Sequence, residues 1–72
     1  MQLIINGQSR ELSALPNTAT VTDLVAVLEL KGDRVAIEHN GSIVSRTEWS
    51  GIAIQPGDKF EIVQFVGGGV AA

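Results

Sequence analysis

The residues whose types and spacing point to chemistry are three consecutive glycines, Gly67-Gly68-Gly69, with Val70-Ala71-Ala72 after them. They follow directly on the apolar run Phe60-Glu61-Ile62-Val63-Gln64-Phe65-Val66. Glycine inside a regular element costs about 0.5–1 kcal/mol relative to alanine, so a triplet does not hold structure unaided. What it offers is a thin chain without Cβ atoms, able to enter a narrow cleft on another protein. The plain alternative is a frayed terminus. A phosphate-binding loop does not fit, because no Lys-Ser/Thr and no helix follow.

Other reactive side chains are sparse. His39 is the only histidine and the chain has no cysteine, so no metal set or thiol nucleophile can be assembled around it, and it reads as a solvated strand-end residue. Glu11, Asp23, Glu29, Asp33, Glu38, Glu48, Asp58 and Glu61 are spread along the chain without an acid–base dyad, and most read as solvated. The pattern is that of a substrate or carrier, not of an enzyme.

The elements that must position the glycines belong to one small domain. Seventy-two residues lie near the lower limit for a self-sufficient apolar core. Hydrophobic residues at 44% and charged residues at 18% give a globular profile. A net charge of −3 argues against non-specific nucleic-acid binding. No stretch approaches a membrane span, and the start lacks a signal-peptide layout. The division expected is a folded body over 1–66 and a flexible glycine-rich tail over 67–72.

Met1 to Ile5 is apolar and partly β-branched, and Asn6-Gly7 after it predicts a tight hairpin into a second strand over Gln8–Leu12. Ser13 to Thr18 reads as a loop around Pro16. Val21, Leu24, Val25 and Leu28 then recur at helical spacing. With Thr20 or Thr22 as N-cap and Gly32 as the stop, the helix is predicted over about Val21–Lys31. Arg34–His39 reads as a third strand, Asn40-Gly41 as a second hairpin and Ser42–Val44 as a fourth strand. Thr47-Glu48-Trp49 suits a helical turn, with Trp49 as a lid on the core, an interface anchor being the alternative. After an extended Ile52–Ile54 and a turn at Gln55–Asp58, Lys59–Val66 is the last and longest strand.

Two hairpins flank one helix, and an apolar strand is left over. Placing that strand in the middle, parallel to the first and with the helix across one face, gives an α+β fold of the β-grasp type, a mixed five-stranded sheet with one main helix. The core expected is Leu3, Ile5, Leu24, Val25, Leu28, Ile37, Phe60 and Ile62. Alternation then turns Val63 and Phe65 to the open face, and the same logic exposes Ile4 on the neighbouring strand. Ile4, Val63 and Phe65 form the expected partner-docking patch, homodimerisation being the alternative.

In order and spacing, four segments resemble the ubiquitin-like sulfur-carrier family, and within it the carriers of the thiamine pathway. They are Met1-Gln2-Leu3-Ile4-Ile5-Asn6-Gly7, Ile43-Val44-Ser45-Arg46-Thr47-Glu48-Trp49, the turn Gly57-Asp58, and Glu61 through Gly69. The resemblance implies a cytosolic carrier that binds no cofactor stably. A ThiF-like adenylating enzyme would use ATP to activate the carboxylate of Gly69, with Gly67, Gly68 and Gly69 entering the partner's active site. A persulfide would convert it to a thiocarboxylate, and thiazole synthase would receive the sulfur. Val70-Ala71-Ala72 departs from the family pattern, so the resemblance also calls for a processing peptidase. A carrier for another pathway (molybdopterin, cysteine or another metabolite), a ubiquitin-like modifier and a plain interaction domain are the alternatives.

Overall fold

The structure, a computed structural model, describes residues 1–65. Five strands, one α-helix and two short 3₁₀ turns follow in the order β1 (Gln2–Ile5), β2 (Gln8–Glu11), α1 (Val21–Val27), a 3₁₀ turn at Gly32–Arg34, β3 (Val35–His39), β4 (Ser42–Val44), a 3₁₀ turn at Arg46–Gly51, and β5 (Lys59–Gln64). The sheet order is β2-β1-β5-β3-β4. Only β1 and β5 run parallel. This is the expected β-grasp, with the last strand central.

Both Asn-Gly pairs make the hairpins their chemistry requires. Asn6 (φ 50°) with Gly7 (φ 80°), and Asn40 (φ 51°) with Gly41 (φ 89°), place two successive residues in the left-handed region, as a type I′ turn demands. The asparagines do more than turn the chain. Asn6 Oδ1 accepts the Ile62 N–H at 2.7 Å while its Nδ2 donates to the Ile62 carbonyl at 3.2 Å. Asn40 donates its backbone N–H to the Lys59 carbonyl at 2.8 Å, and its Oδ1 accepts the Lys59 N–H at 2.9 Å. The two turns therefore hold β5 from opposite sides, one at its start and one near its end. Each side-chain amide continues a ladder where the strand beside it has stopped.

The helix is shorter than its apolar stripe suggests. Thr20 is the N-cap, and its backbone N–H donates to the Asp23 carboxylate at 2.8 Å. At the other end Leu28 is the C-cap and Glu29 takes φ 56°. The N–H of Glu29 bonds the Ala26 carbonyl and that of Leu30 the Val25 carbonyl, which is a Schellman closure. Glu29 thus occupies the position that glycine usually takes, one turn before the predicted stop. Gly32 serves another end. A Cβ there would stand 3.3 Å from Trp49 Cζ3, so glycine lets the chain pass close over the indole.

Leu3, Ile5, Leu24, Val25, Ile37 and Phe60 are buried as expected, whereas Leu28 and Ile62 are only partly covered. Leu12, Leu15, Ala19, Val21, Trp49 and Ile54 complete the core. Trp49 is the expected lid, and its indole N–H donates to the Val44 carbonyl at 3.2 Å.

Candidate functional site

The central strand carries the site. β5 is held by β3 along its whole length, from His39 opposite Phe60 to Val35 opposite Gln64, and the Phe65 N–H donates to the Arg34 carbonyl at 2.7 Å. On its other flank β1 pairs only at Ile4 and Ile5, and the Asn6 amide takes one further step. Beyond Ile62 no described strand lies on that side. A cleft of about 540 Å³ opens there, lined among others by Arg10, Leu12, Leu28, Leu30 and Gln64. A second cleft of about 320 Å³, with Lys31, Arg34, Val35 and Phe65 in its walls, adjoins it across Leu30 and Gln64. The root of the C-terminal segment is thus a rigid strand end set between two clefts. Val66, the glycines Gly67, Gly68 and Gly69, and Val70-Ala71-Ala72 lie outside the described residues.

The three residues of the expected docking patch sit apart. Val63 is 58% exposed, but Ile4 and Phe65 are both partly buried. Ile4 lies beside Lys59, four residues before Val63, which at ~3.3 Å per residue is roughly 13 Å along the strand. Phe65 lines the second cleft at the strand's end. Val63 instead shares a shallow cleft with Ala36 and Ile43, and Ile43 is more exposed than any of the three. Ile43 escapes a reading by alternation because β4 is only three residues long, too short for its faces to be assigned.

His39 is not the solvated strand-end residue expected. Its Nε2 lies 2.7 Å from Asp58 Oδ2, and its ring stacks on Phe60 at a centroid distance of 4.8 Å. Asp58 also accepts the Gln55 N–H at 2.9 Å. Burial pushes the Asp58 carboxyl up, but the bonds from Gln55, His39 and Asn40 outweigh it and hold the group below the ordinary aspartate value. A carboxylate with a depressed pKa stabilises the fold above its unfolded pKa, and that contribution fades as pH falls through the folded value. Asp58→Asn is therefore expected to destabilise the protein at neutral pH, with the gap to wild type closing below about pH 4. Urea unfolding at several pH values checks it; a gap independent of pH refutes it. This pair stands at the start of β5, the far end from the glycines, and does not touch the tail root.

Among the described residues no group of three or more His, Cys, Asp or Glu side chains is placed to hold a metal ion, and no helix is long and apolar enough to cross a membrane.

A β-grasp body whose central strand runs on toward a glycine-rich segment defines a protein of the ubiquitin-like class. Within it the chain belongs to the ThiS family, whose model matches residues 3–69. It is 42% identical over 69 residues to a thiazole synthase of Paramagnetospirillum magneticum, covering 96% of this chain and 20% of that protein. The chain thus spans about a fifth of that relative's length. It is 33% identical to the sulfur carrier protein ThiS of Bacillus subtilis, covering 93% of this chain and 98% of that one. The crystal structure of the thiamine biosynthesis protein ThiS from Geobacter metallireducens superposes with a TM-score of 0.80 at 28% identity, covering 94% of this chain and 99% of that one.

Proposed function

We propose that this chain is the sulfur carrier of thiazole formation in thiamine biosynthesis, acting as a substrate of other enzymes and not as an enzyme itself. The observation that carries the reading is the family match, which runs through the body and ends at Gly69. The strand end at Phe65, held between Arg34 and the two clefts, supports it by giving the tail a firm root. From Phe65 to Gly69 an extended chain reaches roughly 13–14 Å. That suffices to carry a terminal carboxylate into a partner's active site while the body stays outside.

The working division is a folded body over 1–66 and a tail over 67–72. A ThiF-like enzyme joins the Gly69 carboxylate to the AMP of ATP, releasing pyrophosphate. Sulfur from a persulfide then attacks the acyl carbon and AMP leaves. Cleavage of the remaining S–S bond by a thiol yields the thiocarboxylate. Glycine suits this terminus because a side chain would crowd the attacked carbonyl. Because the sulfur is carried on a carbonyl carbon, the absence of cysteine is no obstacle. Thiazole synthase is the proposed acceptor, a reading supported by the relative of that name. Val70-Ala71-Ala72 must be removed first, which calls for a processing peptidase.

The test is intact-mass analysis of a chain ending at Gly69 after incubation with ATP, the adenylating enzyme and a persulfide donor. Replacement of one oxygen by sulfur is the expected result. An unchanged mass, with the enzyme active on a known carrier, refutes the reading.

A further inference from the structure

Among the described residues the large apolar side chains left exposed are Ile43, at 79%, and Val63, at 58%. They come from different strands and share the sheet face turned away from α1. Val63 stands opposite Ala36 on β3, and Ile43 stands opposite Glu38, which in turn faces Glu61 on β5. Together they line a shallow cleft of about 90 Å³. The face is therefore an apolar patch with two carboxylates set into it.

The carboxylates are in an unfavourable place for a free monomer. Glu38 and Glu61 occupy directly opposed positions of an antiparallel ladder, where like charges destabilise the pair. Lys59 lies on the same face two residues before Glu61, yet the ion pairs among the described residues are those of Met1 with Glu11 and His39 with Asp58. Neither of those pairs neutralises Glu38 or Glu61.

We propose that this face docks a protein partner that seats an arginine or lysine between Glu38 and Glu61 and lays apolar side chains on Ile43 and Val63. The inference rests on the sulfur-carrier reading, in which that partner is thiazole synthase. The alkyl stem of a long cationic side chain matches the apolar rim, while its head meets both carboxylates in charge-assisted hydrogen bonds. A partner offering only apolar or acidic groups would bury two unpaired charges, which is costly. The repulsion that weakens the free carrier then becomes a source of affinity and selects for a basic partner.

The experiment compares the Gly69-ended chain with its Glu38→Gln/Glu61→Gln variant, each titrated into thiazole synthase at low and high salt and each melted alone. The variant is expected to bind about tenfold more weakly. Its affinity should be insensitive to salt where that of the parent falls. Its melting temperature should rise, because the repulsion is gone. Affinity and stability moving in opposite directions is the signature. Equal affinity, an equal salt response or a lowered melting temperature overturns the proposal. A parent chain that fails to bind the synthase overturns the docking surface together with that choice of acceptor. Thiocarboxylate formation, read separately by mass, reports on the carrier reading itself.

Discussion

Cutting the chain after Gly69 is expected to convert an inert protein into a substrate for adenylation. In the chain as it stands Gly69 is linked to Val70, so its carbonyl belongs to an amide and has no carboxylate oxygen to attack ATP. The only α-carboxylate of this sequence then belongs to Ala72, three residues further on. At ~3.3–3.6 Å per extended residue it overshoots by roughly 10 Å. Reacting atoms must approach within about 3–3.5 Å, so a displacement of that size abolishes the step instead of slowing it. Ala72 also brings a methyl group to a position where the glycine terminus has only hydrogen. Pyrophosphate release, followed side by side for the two forms with the same adenylating enzyme, checks the expectation. Equal rates, with no trimming seen by mass, would show that Gly69 is not the working terminus.

Phe60→Ala should come close to unfolding the domain. Phe60 is 1% exposed on the central strand, lies beside Ile5 on one flank, and bears the stacked ring of His39 on the other. Replacing a buried phenylalanine by alanine typically costs about 3–5 kcal/mol, part of it for the cavity left behind. At about 0.05–0.15 kcal/mol per residue, a domain of this size holds roughly 4–11 kcal/mol in all. Most of that reserve would be lost. The single tryptophan, Trp49, is buried in the same core and serves as the fluorescent reporter in urea unfolding. Phe60→Leu, which keeps more of the volume, is the control. A midpoint for Phe60→Ala equal to that of the control would show that Phe60 is not a keystone of the core.

The loss would reach the functional end of the molecule as well. β5 is both the centre of the core and the root of the tail, so the residues that pack Phe60 also fix where the Phe65 end points. Loosening the strand removes the firm base from which a short tail must place one carboxylate.

Much of this architecture is legible in the amino-acid sequence itself. Asn6-Gly7 and Asn40-Gly41 specify their turns through local backbone sterics, which depend on no distant residue. The period of Val21, Leu24 and Val25 marks the helix, and the alternation of Phe60 and Ile62 against Val63 assigns the faces of the last strand, because helix and strand periods are written directly into side-chain spacing. The glycine triplet and the missing cysteine are equally plain, and they narrow the chemistry to a carbonyl terminus.

What the sequence could not decide were relations between residues far apart along the chain. That Asn6 bonds Ile62 and Asn40 bonds Lys59 follows from sheet order, since an amide side chain gives no sign of which distant backbone it will meet. Glu29 ends α1 because Leu30 packs against the core, a tertiary gain that outweighs the preference for glycine at a left-handed position. His39 is paired because the turn before β5 brings Asp58 to it, and Ile4 is parted from Val63 because the parallel register of β1 sets it beside Lys59. The pairing of Glu38 with Glu61 is of the same kind. Each glutamate read alone is an ordinary solvated charge, and only the β3–β5 register turns the two into one repulsive site beside Ile43 and Val63. Local propensity and spacing determined the elements; register, a property of the assembled sheet, decided which side chains act together.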